Sequence, residues 1–519
     1  MSLNAGTIVQ ELQAEFESML SYVKDSRTAT ADQVERGLFK RLLELGARLL
    51  LLFFVLRSEA MSRGEYQTPT GEKLPYWAER QRQYFSIFGK LALWRPYFYR
   101  QGAGGASPLD RELALGDDCY SDLLRELAEY LGVGTTYAKV ADCFARLLGL
   151  ELSTQAISDM VAEDASDVEP FYAQQPPPPR ASEAAILVIQ ADGKGVPMVR
   201  ETPAEPKVRL GKGDKHSRKK EAVVTGLYTI APNPRTPAAV VASLFHPTPL
   251  QAQPPKADHA PQNKRLWATM AGKDAALDRL AGQVSAREGP HIQHRVALTD
   301  GAEALQDRIQ QRCPTFTLLL DFIHANEKLW DVANSLFGEQ SPQRQPWVEA
   351  QTLQMLSGQV AQVIAALRLL ASSAESTSNQ RTVLTQVANY FQRNASYMDY
   401  DRYLANGWPI ASGVIEGACR HLVKDRCELS GMRWTKDGVE NLLRLRAVAE
   451  NDDWAAYCRF HKQQRHQHLY GLPLPAEDSL ECQALATSQP PSPTRPARRL
   501  SVLPRATTPC ASVPHKLAA

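Results

Sequence analysis

The sequence predicts an α/β protein: a mixed-sheet core that carries a helical insertion and is preceded by a mainly helical N-terminal region. Three observations carry this reading. Long proline-free runs with apolar residues at three- and four-residue spacing fill residues 8–27 and 30–60. Short β-forming runs at 184–189, from Val196 and at 223–230 read as a meander, followed by alternating strand and helix patterns up to residue 330. Between 349 and 372, Leu353, Leu356, Val360, Val363, Leu367 and Leu370 then recur by threes and fours, as on the buried seam of a helix.

In chain order, Thr30 is placed to cap the second helix ahead of Asp32 and Glu35. That helix contains the most apolar stretch, LLLLFFVL at 49–56. Eight residues cannot cross about 30 Å of hydrocarbon, so a buried helix segment is expected, with an apolar helix hairpin at a subunit interface as the alternative. Aromatic and β-forming residues at 84–100 suggest strands ending at the Gly102–Gly105 turn. Residues 118–169 return to helix, and Thr136–Leu148, the turn at Gly149 and a helix opening near Ser153 or Thr154 have helix-turn-helix proportions. Pro176–Pro179 form a stiff spacer.

After the spacer, the first core strand is expected to end on Asp192 and a Gly193/Gly195 turn. Residues 261–288 read as helical, HIQHRVALTDG as a strand ending on Asp300, 302–311 as a helix and 315–320 as a strand entering DFIHANEKLW. Helices follow at 380–396, 413–429 and 437–450, and the Pro-, Ser- and Thr-rich tail reads as mostly disordered. The expected organisation is a helical region at 1–80, a strand/turn and helix-turn-helix-like DNA-end-binding region at 81–175 and a linker at 176–183. The catalytic core then opens at 184–330, is interrupted by a helical insertion at 331–405, resumes at 406–465 and gives way to a tail at 470–519.

Lys and Arg total 59 against 57 Asp and Glu, so any nucleic-acid surface must be local. The densest candidate is the loop with Lys207, Arg209, Lys212, Lys215, Arg218, Lys219 and Lys220 against Asp214 and Glu221. Eight cysteines without a C-x-x-C pair argue against a disulfide framework or a cysteine zinc site and for a reducing compartment. An acidic, non-basic start argues against a secretory leader, and a cytoplasmic, membrane-free protein is expected.

Three carboxylates stand where chemistry is plausible: Asp192 and Asp300 at strand ends, and Glu416 near the start of a helix. Hard carboxylate oxygens suit Mg²⁺, and two such ions activate an attacking oxygen and stabilise a leaving one during in-line displacement at phosphorus. Taken singly, each has a plain alternative: Asp-Gly is a turn signature, and a first-turn glutamate favours the helix dipole. Cys419, Cys427 and His421 lack the close spacing of a zinc site.

The segment GWPIASGVIEGACRHLVKDRCELSGMRWTKDGVENLLRLRA, 407–447, resembles the glutamate-bearing block of bacterial insertion-sequence transposases of the ISKra type, which belong to the acidic-triad transposases with a ribonuclease-H-like core. LLDFIHANEKLW, SPLD and the ADG and TDG strand ends resemble other blocks of that family, over most of residues 80–460. The resemblance implies metal-dependent DNA cleavage and strand transfer at element ends, with Asp192, Asp300 and Glu416 as catalytic metal ligands. Mg²⁺, replaceable by Mn²⁺ and in two copies, is the implied cofactor. DNA ends, target DNA and further copies of the chain on DNA, in the bacterial nucleoid, are the implied partners. Asp321 is the alternative second acid, since it follows the strand TFTLLL, and His324 is expected to donate to the scissile phosphate. Arg420, Lys424, Arg426, Arg433 and Lys436 are expected to meet DNA phosphates. Relatives carry cysteines before the PLD block, whereas 94–110 has none here. The competing class is a sequence-recognising DNA-binding protein or a catalytically inactive derivative, in which the three acids need not converge.

Overall fold

The computed structural model describes residues 4–199, 219–246 and 259–474. Helices α1 (Ala5–Asp25) and α2 (Ala31–Ala60) form an antiparallel hairpin, with Arg41 on Glu15 and Arg48 on Glu11 across it. Thr30 and Gln33 make the reciprocal cap that the sequence suggests. Within 49–56 only Phe54 is buried, against Leu91 and Leu93, so this apolar stretch is half in solvent rather than enclosed.

A four-stranded antiparallel sheet follows in the order β1 (Glu65–Gln67), β2 (Lys73–Ser86), β3 (Gly89–Arg100) and β4 (Gly104–Ala106). The aromatic segment at 84–100 is therefore the turn and second arm of a ribbon whose first arm starts at Lys73. After α3 (Pro108–Glu112), whose Asp110 holds both Arg82 and Arg95, come α4 (Asp122–Gly134), α5 (Tyr137–Leu148), α6 (Thr154–Asp164) and α7 (Val168–Gln174). Gly149, at φ +66°, ends α5 in the left-handed conformation and Ser153 caps α6.

The core sheet has the order β7-β6-β5-β8-β9: β5 (Ile186–Pro197), β6 (Lys219–Ile230) and β7 (Gln262–Thr269) are antiparallel, whereas β8 (His294–Thr299) and β9 (Thr317–Leu320) add in parallel. Helix α8 (Pro237–Phe245) lies between β6 and β7, α9 (Lys273–Arg287) between β7 and β8, and α10 (Glu303–Arg312) between β8 and β9. Three antiparallel strands extended by two parallel ones make a ribonuclease-H-like α/β fold. Alternate residues of β5 face opposite layers. Leu187 and Ile189 pack on α9 and α10, while Ile186 and Val188 pack on the insertion helices α11 (Phe322–Phe337), α12 (Arg344–Leu356), α13 (Val360–Ser372), α14 (Ser378–Asn394) and α15 (Tyr400–Ala405). The chain then returns through α16 (Gly413–Ala418), a π-helical turn (Cys419–Lys424), α17 (Asp425–Cys427), α18 (Lys436–Glu450) and α19 (Trp454–Tyr470).

Three elements differ from expectation. Helical material at 261–288 is present as α9, but residues 262–269 ahead of it form a strand that the sequence did not signal: its second half, Leu266, Trp267 and Ala268, is buried on both faces and carries no alternation to read. Strand β5 runs through Gly193 and Gly195 instead of turning, because its antiparallel pairing with β6 continues past them, Gly193 opposite Val223 and Gly195 opposite Glu221, to Pro197 opposite Lys219. The seam at 353–370 is split between α12 and α13 by Gly358, at φ +76°.

A buried ion cluster joins α4, α6 and α19. Arg125 meets Asp118, Glu163 and Asp164, and His461 lies 3.1 Å from Asp164 and 2.8 Å from Asp167. Burial works against the imidazolium, yet the bonds to Asp164 and Asp167 outweigh it and raise the His461 pKa from 6.5 to about 9. A raised folded-state pKa contributes stability that is complete below pH 6.5 and lost as pH rises through about 9. Chemical denaturation at pH 6.5 and 9.5 should therefore show an alkaline loss that is smaller in His461→Gln by up to about 3 kcal/mol. Equal pH dependence in the two proteins would contradict the charged assignment.

Candidate active site

Strand register decides which acids meet. Each β5 residue pairs with the β8 residue 108 positions on, from Ile186 with His294 to Gln190 with Leu298, and Asp300 stands 108 positions after Asp192. Each β8 residue pairs with the β9 residue 21 positions on, up to Thr299 with Leu320, and Asp321 stands 21 positions after Asp300. The three aspartates therefore lie level on neighbouring parallel strands, Asp300 and Asp321 just past the ends of β8 and β9 and Asp192 within β5, which continues to Pro197.

Their surroundings differ. The Asp192 Oδ1 accepts the Gly193 N–H at 2.6 Å, and Oδ2 accepts the Cys419 thiol at 3.3 Å. Asp300 Oδ1 accepts the Ala302 N–H at 2.9 Å, and the following backbone is held by Tyr390, whose hydroxyl donates to the Asp300 carbonyl at 2.8 Å. Gly301, at φ +91°, lies against that tyrosine where a Cβ would clash. Both aspartates are partly exposed. Asp321 is fully buried, and its carboxylate receives four donors: the N–H groups of Ile323 at 3.0 Å and Ser412 at 3.3 Å, His324 Nδ1 at 2.7 Å, and the Ser412 hydroxyl.

Glu416 comes to these acids because the start of α16 is tied down twice. The Ile415 N–H donates to Gln190 Oε1 at 2.9 Å, two residues before Asp192, and Ser412 bonds Asp321. Glu416 Oε1 is 3.3 Å from the Ser412 hydroxyl and 3.9 Å from His324 Nδ1, and its side chain is 46% exposed. Asp321, His324 and Glu416 offer ligand atoms within 4.8 Å of one another, a candidate metal cluster among the described residues. The hydrogen bond from His324 to Asp321 raises the histidine pKa to about 9 against the opposing effect of burial, with Asp321, Glu327 and Asp300 adding attraction. Asp300 is thus within electrostatic reach of the same ring. One imidazolium stands among several carboxylates, an excess of negative charge that suits a hard divalent cation.

The predicted cations disperse. Lys207, Arg209, Lys212, Lys215 and Arg218 lie outside the described residues. Lys219 is exposed on β6 and paired with Glu428, and Lys220 adjoins it. Arg420, Lys424, Arg433 and Lys436 are exposed, with Arg420 3.5 Å from Asp425. Arg426 is a correction: it is fully buried, donates to the Gly132 carbonyl and lies 5.0 Å from the Tyr137 and Trp434 rings, so it anchors α17 to α4 and α5 and is not a phosphate contact. The π-helical turn also removes the simple four-residue spacing by which Arg420 and Lys424 would share a face with Glu416.

The second helix of the helix-turn-helix unit spends Glu163 and Asp164 on Arg125. Residues 150–175 contain six acids and no Lys or Arg, and α6 buries Ile157, Met160 and Val161. The basic density of the N-terminal half lies instead in the β2–β3 ribbon, with six basic residues and one acid between Lys73 and Arg100; Arg80, Lys90 and Arg100 are exposed. Gln190 and Ser412 are site residues that the sequence reading missed. Their signals were a lone amide in the apolar strand ILVIQAD and a serine at a helix start.

No protein-family model and no curated protein matches the chain. Among solved structures, it is similar to the Drosophila P element transposase strand transfer complex, at 10% identity and a TM-score of 0.23, over 66% of this chain and 81% of that one.

The contrast between saturated and open carboxylates predicts opposite stabilities. Asp321→Ala strands the Ser412 and α11 donors and should cost about 2–4 kcal/mol. Asp192→Asn and Asp300→Asn keep their short backbone bonds and relieve like-charge crowding, and should stay within about 0.5 kcal/mol of the parent or exceed it. Metal-free thermal melts distinguish these outcomes, and a large loss in Asp300→Asn would mark it as structural.

Proposed function

We propose that the protein is a divalent-metal-dependent DNA transposase that cleaves and joins strands at insertion-element ends, with Asp192, Asp300 and Glu416 as the ligands. What supports this reading is the strand register that sets Asp192 and Asp300 level on β5 and β8, both partly open, together with a glutamate whose helix is tied to the Asp192 strand through Gln190. Mg²⁺ or Mn²⁺ bound there, as one or two ions, would polarise the scissile phosphate and activate the attacking oxygen.

The chain's own residues supply the rest. Asp321 keeps a proton on His324 Nδ1 and orients the ring, leaving the other nitrogen to donate to a phosphate oxygen. Exposed Arg420, Lys424, Arg433 and Lys436 neutralise phosphates beyond the reacting one. The basic β2–β3 ribbon has the form that a major groove admits and shares the DNA-contacting role expected of 81–175.

A second reading makes Asp321, His324 and Glu416 the metal site, favoured by their 4.8 Å grouping. It requires Asp321 to give up donors that satisfy a buried charge, which is the reason to prefer Asp300.

In a cleavage and joining assay with element ends and Mg²⁺ or Mn²⁺, Asp192→Asn, Asp300→Asn and Glu416→Gln should each lose at least roughly 100-fold while end binding persists. Near-parental cleavage by Asp300→Asn together with loss in folded Asp321→Asn would transfer the role to Asp321. Substituting Arg80, Lys90 and Arg100 by Gln should weaken binding to unrelated duplexes by similar factors and flatten the salt dependence, and an unchanged slope would remove the ribbon from the interface.

A further inference from the structure

Among the described residues, the α1–α2 hairpin leaves an apolar face largely uncovered, with Phe88 of the β2–β3 turn laid on it at Gly46. On α1, Val9, Phe16, Leu20 and Val23 are 39–54% exposed, at spacings of seven, four and three. On α2, Phe39, Leu42, Leu49, Phe53 and Leu56 are 45–53% exposed, at spacings of three, seven, four and three. The missing heptad position is Gly46, and Phe88 from the β2–β3 turn lies where its Cβ would be, so a ring fills that place from another element.

Both stripes lie on one side of the hairpin. The inward seam of α1 includes Ile8, Glu15, Met19 and Tyr22, and that of α2 includes Arg41 and Arg48, which pair with Glu15 and Glu11. Stripe residues follow the seam residues by one position, a rotation of about 100°. In antiparallel helices that rotation turns both toward the same flank. Two adjacent helices with coplanar heptad stripes are half of a four-helix bundle.

We infer that this face pairs with the same face of a second copy of the chain, forming an isologous four-helix bundle in the absence of DNA. The nine side chains present roughly 700 Å² of apolar surface per protomer, close to the about 800 Å² per partner of a standard stable interface. A contiguous exposed patch of this size is unusual on a monomer, and a self-complementary pair of stripes closes on itself under two-fold symmetry. Among the described residues no helix is long and apolar enough to cross a membrane, so a spanning role does not explain the stripe.

Sedimentation velocity of the full chain without DNA should give twice the 57.6 kDa chain mass. The double variant Phe16→Glu/Leu49→Glu, at positions already about half in solvent, should keep the parental circular dichroism and sediment as a monomer. A parent that is monomeric at tens of micromolar overturns the inference, whether it stays free or co-sediments with anionic phospholipid vesicles. So does a folded double variant that remains dimeric. Neither result bears on cleavage at Asp192, Asp300 and Glu416.

Discussion

A carboxylate with no access to water must be met by donors, and Asp321 is the group around which the edge of the sheet is organised. Its backbone N–H returns to the Thr299 carbonyl, its side chain caps α11 and holds His324, and Ser412 brings in the segment before α16. Phe322 donates to the Ile410 carbonyl at 2.8 Å beside it. Two chain segments separated by the whole helical insertion are thereby fastened at one point. The glutamate of α16 is consequently held above strands whose own acids are level by register.

Residues that build the edge and residues free to bind at it are therefore different residues. Asp321, Ser412 and Gln190 are buried and spend their polar atoms on one another or on backbone groups. Asp192, Asp300 and Glu416 keep partly exposed oxygens. The same division holds among cations: Arg426 is consumed in the core, whereas Arg420 and Lys424, a few residues before it, face solvent. Proximity of ligand atoms alone would choose Asp321, and hydrogen-bond accounting chooses Asp300.

Much of this was legible in the sequence where local chemistry decides conformation. Thr30 and Ser153 cap where expected, Gly149 takes the left-handed position, and the strands ending near Asp300 and before Asp321 follow their apolar runs. The glutamate helix stood out by resemblance. Illegible features depend on long-range packing. The second half of strand β7 is enclosed on both faces and has no period, and Gly193 and Gly195 continue the β5–β6 pairing rather than make a turn. The burial of Arg426 depends on Gly132, 294 residues earlier, and on Tyr137, as well as on the nearby Trp434.

The central claim is the division of labour among the level aspartates, and locating a bound ion tests it most directly. Crystals of the protein with Mn²⁺, measured at a wavelength where manganese scatters anomalously, should show density bounded by Asp192, Asp300 and Glu416, with the Asp321–Ser412 bonds intact. Density ligated by Asp321 and His324, with Asp300 turned away, would contradict the account.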